Sequence, residues 1–285
     1  STDKFLSVLD DSFGFCDVVF GWDVDDQLFD NIQLSGWQTG YGDAQVRLIP
    51  ESCRELPLEQ NMILVQGEVI GRMQPLCPRQ LLKKVLAHGA SLGFSSVAGF
   101  EYEFLVTNED HETLRSRDFA NPKPLGYGSF GYSVLRTSVN HDFYESLLNV
   151  SQQMGIPIEG LHEETGPGAL EAALQVESTL RAADNAALFK TFSKVVAQQQ
   201  GRMLSYMAKW HQDYSGQGGH VHVSLKQPDG SPVFYDADAP NHIGTTMRHF
   251  IGGLQHLARD FMCFFAPNVN SYRRLVPGYW APTSA

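Results

Sequence analysis

The run from His220 to Leu225 alternates strictly between polar and apolar side chains. This period of two predicts a half-buried β-strand, because successive side chains of a strand point to opposite faces. His220, His222 and Ser224 share one face, and two valines and a leucine form the other. The predicted strand therefore has one polar and one apolar face. Its polar face offers one imidazole suited to a metal ion and another suited to a phosphate.

A second predicted strand, residues 97–106, carries two carboxylates. Glu101 and Glu103 are two positions apart, so both project from the same side of the strand. Carboxylates are depleted in strands, and burying two together costs free energy unless a cation neutralises them. A divalent metal site is one interpretation. A strand whose polar face lies in water is the other.

A third polar set flanks the turn Gly166-Pro-Gly168, with Glu164 before it and Glu171 after it. A tight turn between two strands brings these carboxylates towards one point, although two exposed loop acids remain the alternative. Oxygen ligands suit Mg²⁺ or Mn²⁺, and no cysteine supports a zinc site. The sequence contains no P-loop GxxxxGK[ST], so metals, arginines and strand-face groups would have to hold any ATP.

The segment 267–285 combines three prolines and a glycine with paired arginines, two asparagines and aromatic residues. Proline and glycine impose a backbone shape on such a loop, and loops held on a rigid scaffold often carry binding groups. A turn-rich surface connection and an active-site loop are both consistent with this segment alone.

Bulk properties exclude some classes of protein. The net charge of −11 argues against nonspecific nucleic-acid binding, which needs a basic face. No apolar run reaches about 18 residues, so we expect no membrane span, and the N-terminus lacks a signal-peptide pattern. Four cysteines without ligand spacing predict buried free thiols rather than a disulfide framework. We therefore expect a cytoplasmic protein with neither nucleic acid nor a membrane as partner.

The predicted fold class is α+β, with a small β-rich domain over residues 1–74 and a larger mixed domain over 75–285. A linker is predicted at 72–78. Predicted strands cover residues 15–23, 28–33, 44–49, 62–69, 97–106, 156–161, 169–176 and 220–225. Predicted helices cover residues 79–92, 143–154, 179–210 and 243–264.

Four ordered motifs resemble the glutamine synthetase family. They are Glu101-Tyr-Glu103, Glu164-Thr-Gly-Pro-Gly-Ala-Leu-Glu171, Gly218-Gly-His220-Val-His222-Val-Ser224 and Asn270-Ser-Tyr-Arg-Arg274-Leu-Val-Pro-Gly-Tyr. The resemblance covers essentially the whole chain, whereas the chain covers about the first two thirds of a typical family member. It implies an N-terminal β-grasp domain and a catalytic domain with a curved antiparallel sheet flanked by helices.

The resemblance also implies an activity and an assembly. Family members phosphorylate the γ-carboxylate of glutamate with ATP, and an amine then attacks the γ-glutamyl phosphate. Two or three Mg²⁺ or Mn²⁺ ions per site assist this reaction, in which ATP is a substrate. Subunits form ring homo-oligomers, either dodecamers or decamers, with each active site between neighbours.

Residue roles follow from the match to the family motifs. Metal ligands would be Glu103, Glu164 and Glu171 at one position, and Glu101 and His220 at the other. The nucleotide would contact Glu159, His222 and Ser224. Substrate-binding residues would be Gly216, in the glutamate loop, Arg274, which holds glutamate, and Trp280. Catalytic residues would be Arg274 and Asp30, the latter deprotonating the incoming amine as a general base.

The chain departs from the family pattern at three points. Trp280 stands where ammonia-using members carry a glutamate, and its indole favours a larger alkylammonium over NH₄⁺ through cation–π attraction. Ser215 and Ala169 replace a usual asparagine and a frequent glutamine, which departs from the family pattern for glutamate as the acid substrate. The family's later motifs are absent, which predicts a C-terminally incomplete chain.

These departures predict a γ-glutamyl–amine ligase, for example one that uses a polyamine. An ammonia-using glutamine synthetase and a catalytically inactive structural member of the superfamily are the alternatives.

Overall fold

The computed structural model describes residues 2–9, 11–23, 25–29 and 33–278. The chain forms two compact units, Ser1–Leu92 and Gly93–Ala285. The predicted boundary after residue 74 places the helix Pro78–Ser91 in the second domain. In the structure this helix belongs to the first unit. The domain boundary stays a prediction. The four cysteines are free thiols, as expected, but only Cys77 is buried.

The first unit contains a three-stranded antiparallel sheet in the order β1-β2-β5 and a β3-β4 hairpin. Its elements are α1 (Thr2–Val8), β1 (Phe13–Cys16), β2 (Asp43–Leu48), β3 (Arg54–Glu55), β4 (Ile63–Leu64), β5 (Gly67–Ile70) and α2 (Pro78–Ser91). The β-grasp fold that the resemblance implies for this region stays a prediction.

Two predicted strands of the first unit were wrong. β1 ends at Cys16, and a 3₁₀ turn follows from Asp17 to Gly21. The chain turns there because the carboxylate of Asp17, which is fully buried, accepts hydrogen bonds from Ser35 and Arg72. Strand 28–33 is reduced to a single bridge between Leu28 and Trp22, and residues 30–32 lie outside the described residues.

Two further predictions in this unit needed correction. The predicted strand 62–69 is divided into β4 and β5. The division occurs because the backbone N–H of Gln66 donates a hydrogen bond to Oγ of Ser52 (2.7 Å) instead of to a neighbouring strand. The predicted linker 72–78 forms a 3₁₀ turn over Gly71–Leu76.

Glu68 joins α2 to the small sheet. Its side chain is 3% exposed and forms ion pairs with Arg47, Arg79 and Lys83. Burial raises the pKa of Glu68, but hydrogen bonds from Arg47 and Lys83 outweigh this effect and hold it below the ordinary value. A carboxylate buried in this way is tolerated because several cations surround it.

The second unit is built on a six-stranded antiparallel sheet. Its strands are β6 (Ser95–Val106), β7 (Ile158–Glu163), β8 (Ala169–Leu174), β9 (Glu177–Ser178), β10 (Leu204–Ser205) and β11 (Gly219–Lys226). Its helices are α3 (His111–Arg115), α4 (Val134–Val139), α5 (His141–Gln153), α6 (Thr179–Gln199), α7 (Thr245–Leu257), α8 (Met262–Phe265) and α9 (Val269–Arg274).

The long strand β6 lies at the centre of this sheet. β8 and β9 pair with one edge of β6, and β11 and β10 pair with the other. β7 extends the sheet beyond β8. Behind the sheet, α6 packs Phe189 against Tyr102 and Phe104 on β6, with ring centroids 6.0 and 6.3 Å apart. An apolar layer therefore lies behind β6, whereas Val221 on the apolar face of β11 is 58% exposed.

Three predictions in the second unit needed correction. α6 ends at Gln199 rather than residue 210, because Gly201 takes a positive φ of 66° and turns the chain into β10. The predicted helix 243–264 consists of α7 and α8. The predicted loop 267–285 contains α9, which begins where the side chain of Asn268 accepts a hydrogen bond from the amide of Ser271.

Among the described residues, none of the helices combines the length and the apolar character needed to cross a bilayer.

Replacing Phe104 with alanine should lower the free energy of unfolding by about 3–5 kcal/mol, because its ring is fully buried between β6 and α6. Urea denaturation followed by circular dichroism measures this loss. Phe264→Ala is a matched control, since that ring is 72% exposed and its removal should change stability little. Equal losses in the two variants would contradict the packing described.

Candidate active site

Strand register brings the predicted carboxylates and imidazoles to one region of the large sheet. His220 on β11 lies opposite Glu101 on β6. Glu171 on β8 lies opposite Glu103 on β6 and, across its other edge, opposite His162 on β7. Directly opposed side chains in a sheet are near neighbours. Four strands therefore supply ionisable groups to a single face.

Glu101 is held by two imidazoles. Its Oε2 lies 3.0 Å from Nδ1 of His220 and 3.1 Å from Nε2 of His222. Burial raises the pKa of Glu101, but hydrogen bonding to His222 and His220 outweighs burial and keeps it below its ordinary value. The alternation read from the sequence thus places both histidines on the side of the sheet that carries Glu101.

Glu171 lies in the most strongly repulsive position of the cluster. Burial, together with repulsion from Glu103, Glu101 and Glu164, raises its pKa to about 7. Each of these anions makes ionisation of Glu171 more costly. A bound cation would reverse that penalty.

The donor atoms fit a divalent metal. Two groups of side chains bring their potential ligand atoms within 4.8 Å of one another: Glu101, Glu171 and His220, and His162, Glu164 and Glu171. Carboxylate oxygens with one imidazole per group are ligands that Mg²⁺ and Mn²⁺ accept. The like-charge repulsion at Glu171 supports the same interpretation, because such a cluster is stabilised by a cation.

The second acidic set is fixed by the loop before α4. Oε1 of Glu164 accepts a hydrogen bond from the hydroxyl of Tyr132 (2.9 Å), and its Oε2 accepts one from the amide of Thr165 (2.9 Å). The turn itself needs Gly168, which has a φ of 69° and would place a Cβ atom 2.6 Å from the carbonyl oxygen of Val106. Glu164 is therefore oriented before any ligand binds.

Arg274 faces this acidic cluster from α9. Cβ atoms added at Gly216 and Gly218 would meet its side chain at 2.8 and 2.6 Å, so the glycines allow the guanidinium to lie directly against their loop. Asn270, one turn earlier on α9, accepts a hydrogen bond from the amide of Lys209 and donates one to its carbonyl, both at 2.8 Å. This pair of bonds fixes α9 and so positions Arg274.

A cleft of about 410 Å³ lies between these groups. Carboxylates and the imidazole of His220 form one wall, and the guanidinium of Arg274 and the glycine loop form another. Its lining residues are Glu103, Tyr132, Glu164, Thr165, Ala169, Glu171, Ser215, Gly216, His220 and Arg274. The cleft can therefore hold an anionic group against Arg274 and metal-bound groups against the carboxylates.

The structure brings together most of the predicted site residues but not all of them. The five predicted metal ligands lie together, and Gly216 and Arg274 line the same cleft. Glu159 is exposed in a bulge at the start of β7, and Ser224 lies two residues beyond His222 on β11; neither lines the cleft. Asp30 and Trp280 lie outside the described residues.

Sequence reasoning missed four residues of this site. His162 is two positions before Glu164. The alternation that placed Glu101 and Glu103 on one side of a strand therefore also predicts His162 on the same side as Glu164. Asn270 lies in the arginine segment but was not given a positioning role. Thr165 and Tyr132 had no local signal, because their positions depend on loop contacts. Tyr132 follows a GxGxxG sequence at residues 126–131. A dinucleotide-binding GxGxxG comes directly after a strand, whereas none of the described strands leads into this loop.

Comparison with known proteins gives a consistent result. The family model described as "Glutamine synthetase, catalytic domain" matches residues 75–285. Type-1 glutamine synthetase 2 of Dictyostelium discoideum is 42% identical over 99% of this chain and 54% of its own length. Glutamate–isopropylamine ligase of a Pseudomonas species is 31% identical over 93% of this chain and 58% of its own length.

A solved structure, "Apo GmaS without ligand", superposes with a TM-score of 0.80 at 23% identity, covering 96% of this chain and 61% of that one. This likeness concerns the fold. The chain spans 54% and 58% of the length of these two curated relatives, less than the two thirds expected from its motifs.

Two glycine substitutions should distinguish an effect on stability from an effect on the position of the Arg274 side chain. A Cβ at Gly216 would collide with the backbone carbonyl of Ala208, whereas a Cβ at Gly218 would meet the end of the Arg274 side chain, which can shift more easily than backbone. Gly216→Ala should therefore lower stability by about 1–3 kcal/mol, and Gly218→Ala should leave stability nearly unchanged while displacing the guanidinium. Thermal midpoints and a crystal structure of the Gly218 variant test this. Equal destabilisation by both substitutions would contradict it.

Proposed function

The chain belongs to the glutamine synthetase family, and on that premise we propose that it acts as an ATP-dependent ligase joining glutamate to an amine through γ-glutamyl phosphate. The observation that carries this proposal is the cleft itself. A cluster of metal-binding carboxylates and a single oriented guanidinium, Arg274, face one another across about 410 Å³. A reaction that binds a carboxylate and transfers a phosphoryl group needs both kinds of group.

Arg274 would bind the α-carboxylate of glutamate, because its planar fork matches a carboxylate with two parallel hydrogen bonds. Its position is set by Asn270 and by the open space at Gly216 and Gly218. The γ-carboxylate would then extend towards the acidic wall. Divalent ions held there by Glu101, Glu103, Glu164, Glu171 and His220 would neutralise the charge of the phosphates during transfer.

The remaining roles are carried by the family resemblance. We propose Glu159, His222 and Ser224 as nucleotide contacts and Asp30 as the base that deprotonates the amine. We also propose a ring of identical subunits and a cytoplasmic location. β11 supports the nucleotide proposal, because His222 and Ser224 follow His220 on the strand that carries a metal ligand.

An organic amine is favoured over ammonia as the acceptor. Trp280 replaces an anion with an indole, which removes ionic stabilisation of NH₄⁺ and offers an aromatic face for an alkylammonium, worth about 0.5–2 kcal/mol. The relative named glutamate–isopropylamine ligase supports an amine of this kind.

Glutamine synthesis from ammonia is the second candidate. The Dictyostelium relative, 42% identical, is named a glutamine synthetase, and nothing in the carboxylate cluster or at Arg274 distinguishes the two acceptors.

The acceptor is tested with an amine panel. The full-length protein, with ATP, Mg²⁺ and glutamate, should release phosphate with kcat/KM at least about tenfold higher for one of isopropylamine, ethanolamine, putrescine or spermidine than for ammonia, equivalent to about 1.4 kcal/mol. Trp280→Glu should shift the preference towards ammonia. Faster turnover with ammonia than with every amine would support the second candidate instead.

The role of Arg274 is tested by a conservative substitution. Arg274→Lys should raise KM for glutamate about 10–100-fold, because an ammonium cannot reproduce the two parallel hydrogen bonds. KM for ATP should change by less than about twofold, since the nucleotide is assigned to other groups. Arg273→Lys is the matched control, because this neighbour is exposed and does not line the cleft. Unchanged KM for glutamate in Arg274→Lys would contradict the assignment.

A further inference from the structure

Lys209 does not line the cleft, but its backbone joins the two segments that form the wall opposite the carboxylates. Its N–H donates to Oδ1 of Asn270, and its carbonyl accepts from Nδ2 of the same side chain, both at 2.8 Å. Asn270 belongs to α9, the helix that carries the guanidinium. The carbonyl of the preceding residue, Ala208, accepts a hydrogen bond of 2.9 Å from the amide of Gln217, which lies in the glycine loop, residues 215–219. Residues 208 and 209 therefore connect α9 to the glycine loop.

The side chain of Lys209 strengthens this connection. Lys209 is 7% exposed, and its ammonium donates a hydrogen bond to the backbone carbonyl of Tyr214, five residues further along the chain. Taking an ammonium out of water costs free energy unless hydrogen bonds or an opposite charge compensate for the loss. The carbonyl of Tyr214 provides part of that compensation. The bond closes the segment 209–214 into a compact loop that ends directly before the glycine loop.

Aromatic rings pack inside this compact loop. The ring of Tyr214 lies at centroid distances of 5.4 Å from Trp210 and 4.5 Å from His211. The side chain of Tyr214 is thus held by two rings, and its carbonyl is held by the buried ammonium. Ser215 and Gly216 come next in the chain and line the cleft. The position of Tyr214 therefore determines where this part of the cleft wall begins.

The glycine loop fits closely against α9. A Cβ atom added at Gly216 would lie 2.2 Å from the carbonyl oxygen of Ala208 and 2.8 Å from Cγ of Arg274. A shift of the loop towards either group would produce a clash, and a shift away would leave a gap beside the stem of Arg274. The direction of the guanidinium consequently depends on the hydrogen bonds that hold the loop in this register.

Lys209 also places a second positive charge near Arg274. Burial lowers the pKa of Lys209, and the guanidinium of Arg274 lowers it further, whereas Asp213 raises it. The two cations repel each other, and an anion bound at Arg274 would relieve that repulsion. Lys209 therefore favours a carboxylate at Arg274 although its own side chain is outside the cleft.

We propose that Lys209 is a positioning residue for the acid substrate: it holds the glycine loop against α9, so that Gly216 and Arg274 form a preorganised site for the α-carboxylate. This inference rests on the proposed function for the identity of that substrate. Lys209 acts through the carbonyl of Tyr214 and the side chain of Asn270, without touching the substrate. A binding site that is already ordered loses less entropy when its ligand binds.

The first test compares substrate affinities in the full-length protein. Lys209→Met keeps the length of the side chain and removes its hydrogen-bond donor and its charge. It should raise KM for glutamate about 5–20-fold, while KM for ATP changes less than about twofold and kcat less than about threefold. Unchanged KM for glutamate, or an equal rise in KM for ATP, overturns the proposal.

Lys194→Met is the matched control for this comparison. Lys194 is also in the second unit, but it is exposed and its ammonium lies over the ring of Tyr206, 5.8 Å from the centroid. All three kinetic constants should stay at their wild-type values in this variant. A rise in KM for glutamate equal to that of Lys209→Met would show a general effect of lost positive charge and would overturn the positioning role.

The second test measures amide hydrogen exchange without substrate, and one part of it needs no variant. In the wild type, the amides of Lys209 and Gln217 should exchange at similar rates, because one loop closure protects both. Unrelated rates for the two amides overturn the proposal. In Lys209→Met, exchange at Gln217 should be at least about tenfold faster while exchange at Phe104 in β6 is unchanged. Equal acceleration at Gln217 and Phe104 would indicate general destabilisation and also overturns it.

The exchange measurement is independent of the proposed function. Faster exchange at Gln217 in Lys209→Met, combined with a wild-type protein that binds no glutamate, would overturn the proposed function and retain the role of Lys209 in holding the loop. Glutamate bound with equal affinity by the wild type and by Lys209→Met, measured by calorimetry, would overturn the positioning role alone.

Discussion

The pairing of Glu103 with Glu171 across β6 and β8 is the interaction on which the site depends. Two carboxylates in directly opposed positions repel each other, and this repulsion, after burial, raises the pKa of Glu171. A sheet would normally avoid such a pair. The register is nevertheless maintained by the apolar side of the same strands, where Phe104 and Leu170 are buried. The core therefore stabilises an arrangement that its polar face opposes, and a cation would relieve the conflict.

The opposite wall of the cleft depends on a different constraint, namely the absence of side chains. Gly216 and Gly218 leave space that the side chain of Arg274 occupies, and the two hydrogen bonds of Asn270 fix the helix that carries it. Because the guanidinium and the carboxylates are positioned by separate elements, their spacing is defined by backbone contacts rather than by direct ion pairing. That separation preserves an open cleft in which charges of both signs are available to a substrate.

Tyr132 connects the loop before α4 to the acidic wall. It donates to Glu164, packs on His162 and lines the cleft. Its own position follows from the hydrogen bond that its backbone N–H donates to the carbonyl oxygen of Glu163, and from Arg136, which donates to the carbonyl of Phe130. A change in this loop would therefore alter two potential metal ligands together. Residues that hold metal ligands in position are common around metal sites. They affect the affinity for the metal although they do not contact the ion themselves.

The sequence by itself determined the strand faces, the turn between Glu164 and Glu171, and the family, because alternation, turn composition and motif spacing are local properties. It also indicated most of the site, since Glu101, Glu103 and His220 stand out on strands where charge is unfavourable. Only the tertiary structure decided that His162 faces Glu171, that Tyr132 reaches Glu164 and that Asn270 positions α9. These contacts join segments whose register and loop paths are set by packing across the whole sheet, and no local pattern records that packing.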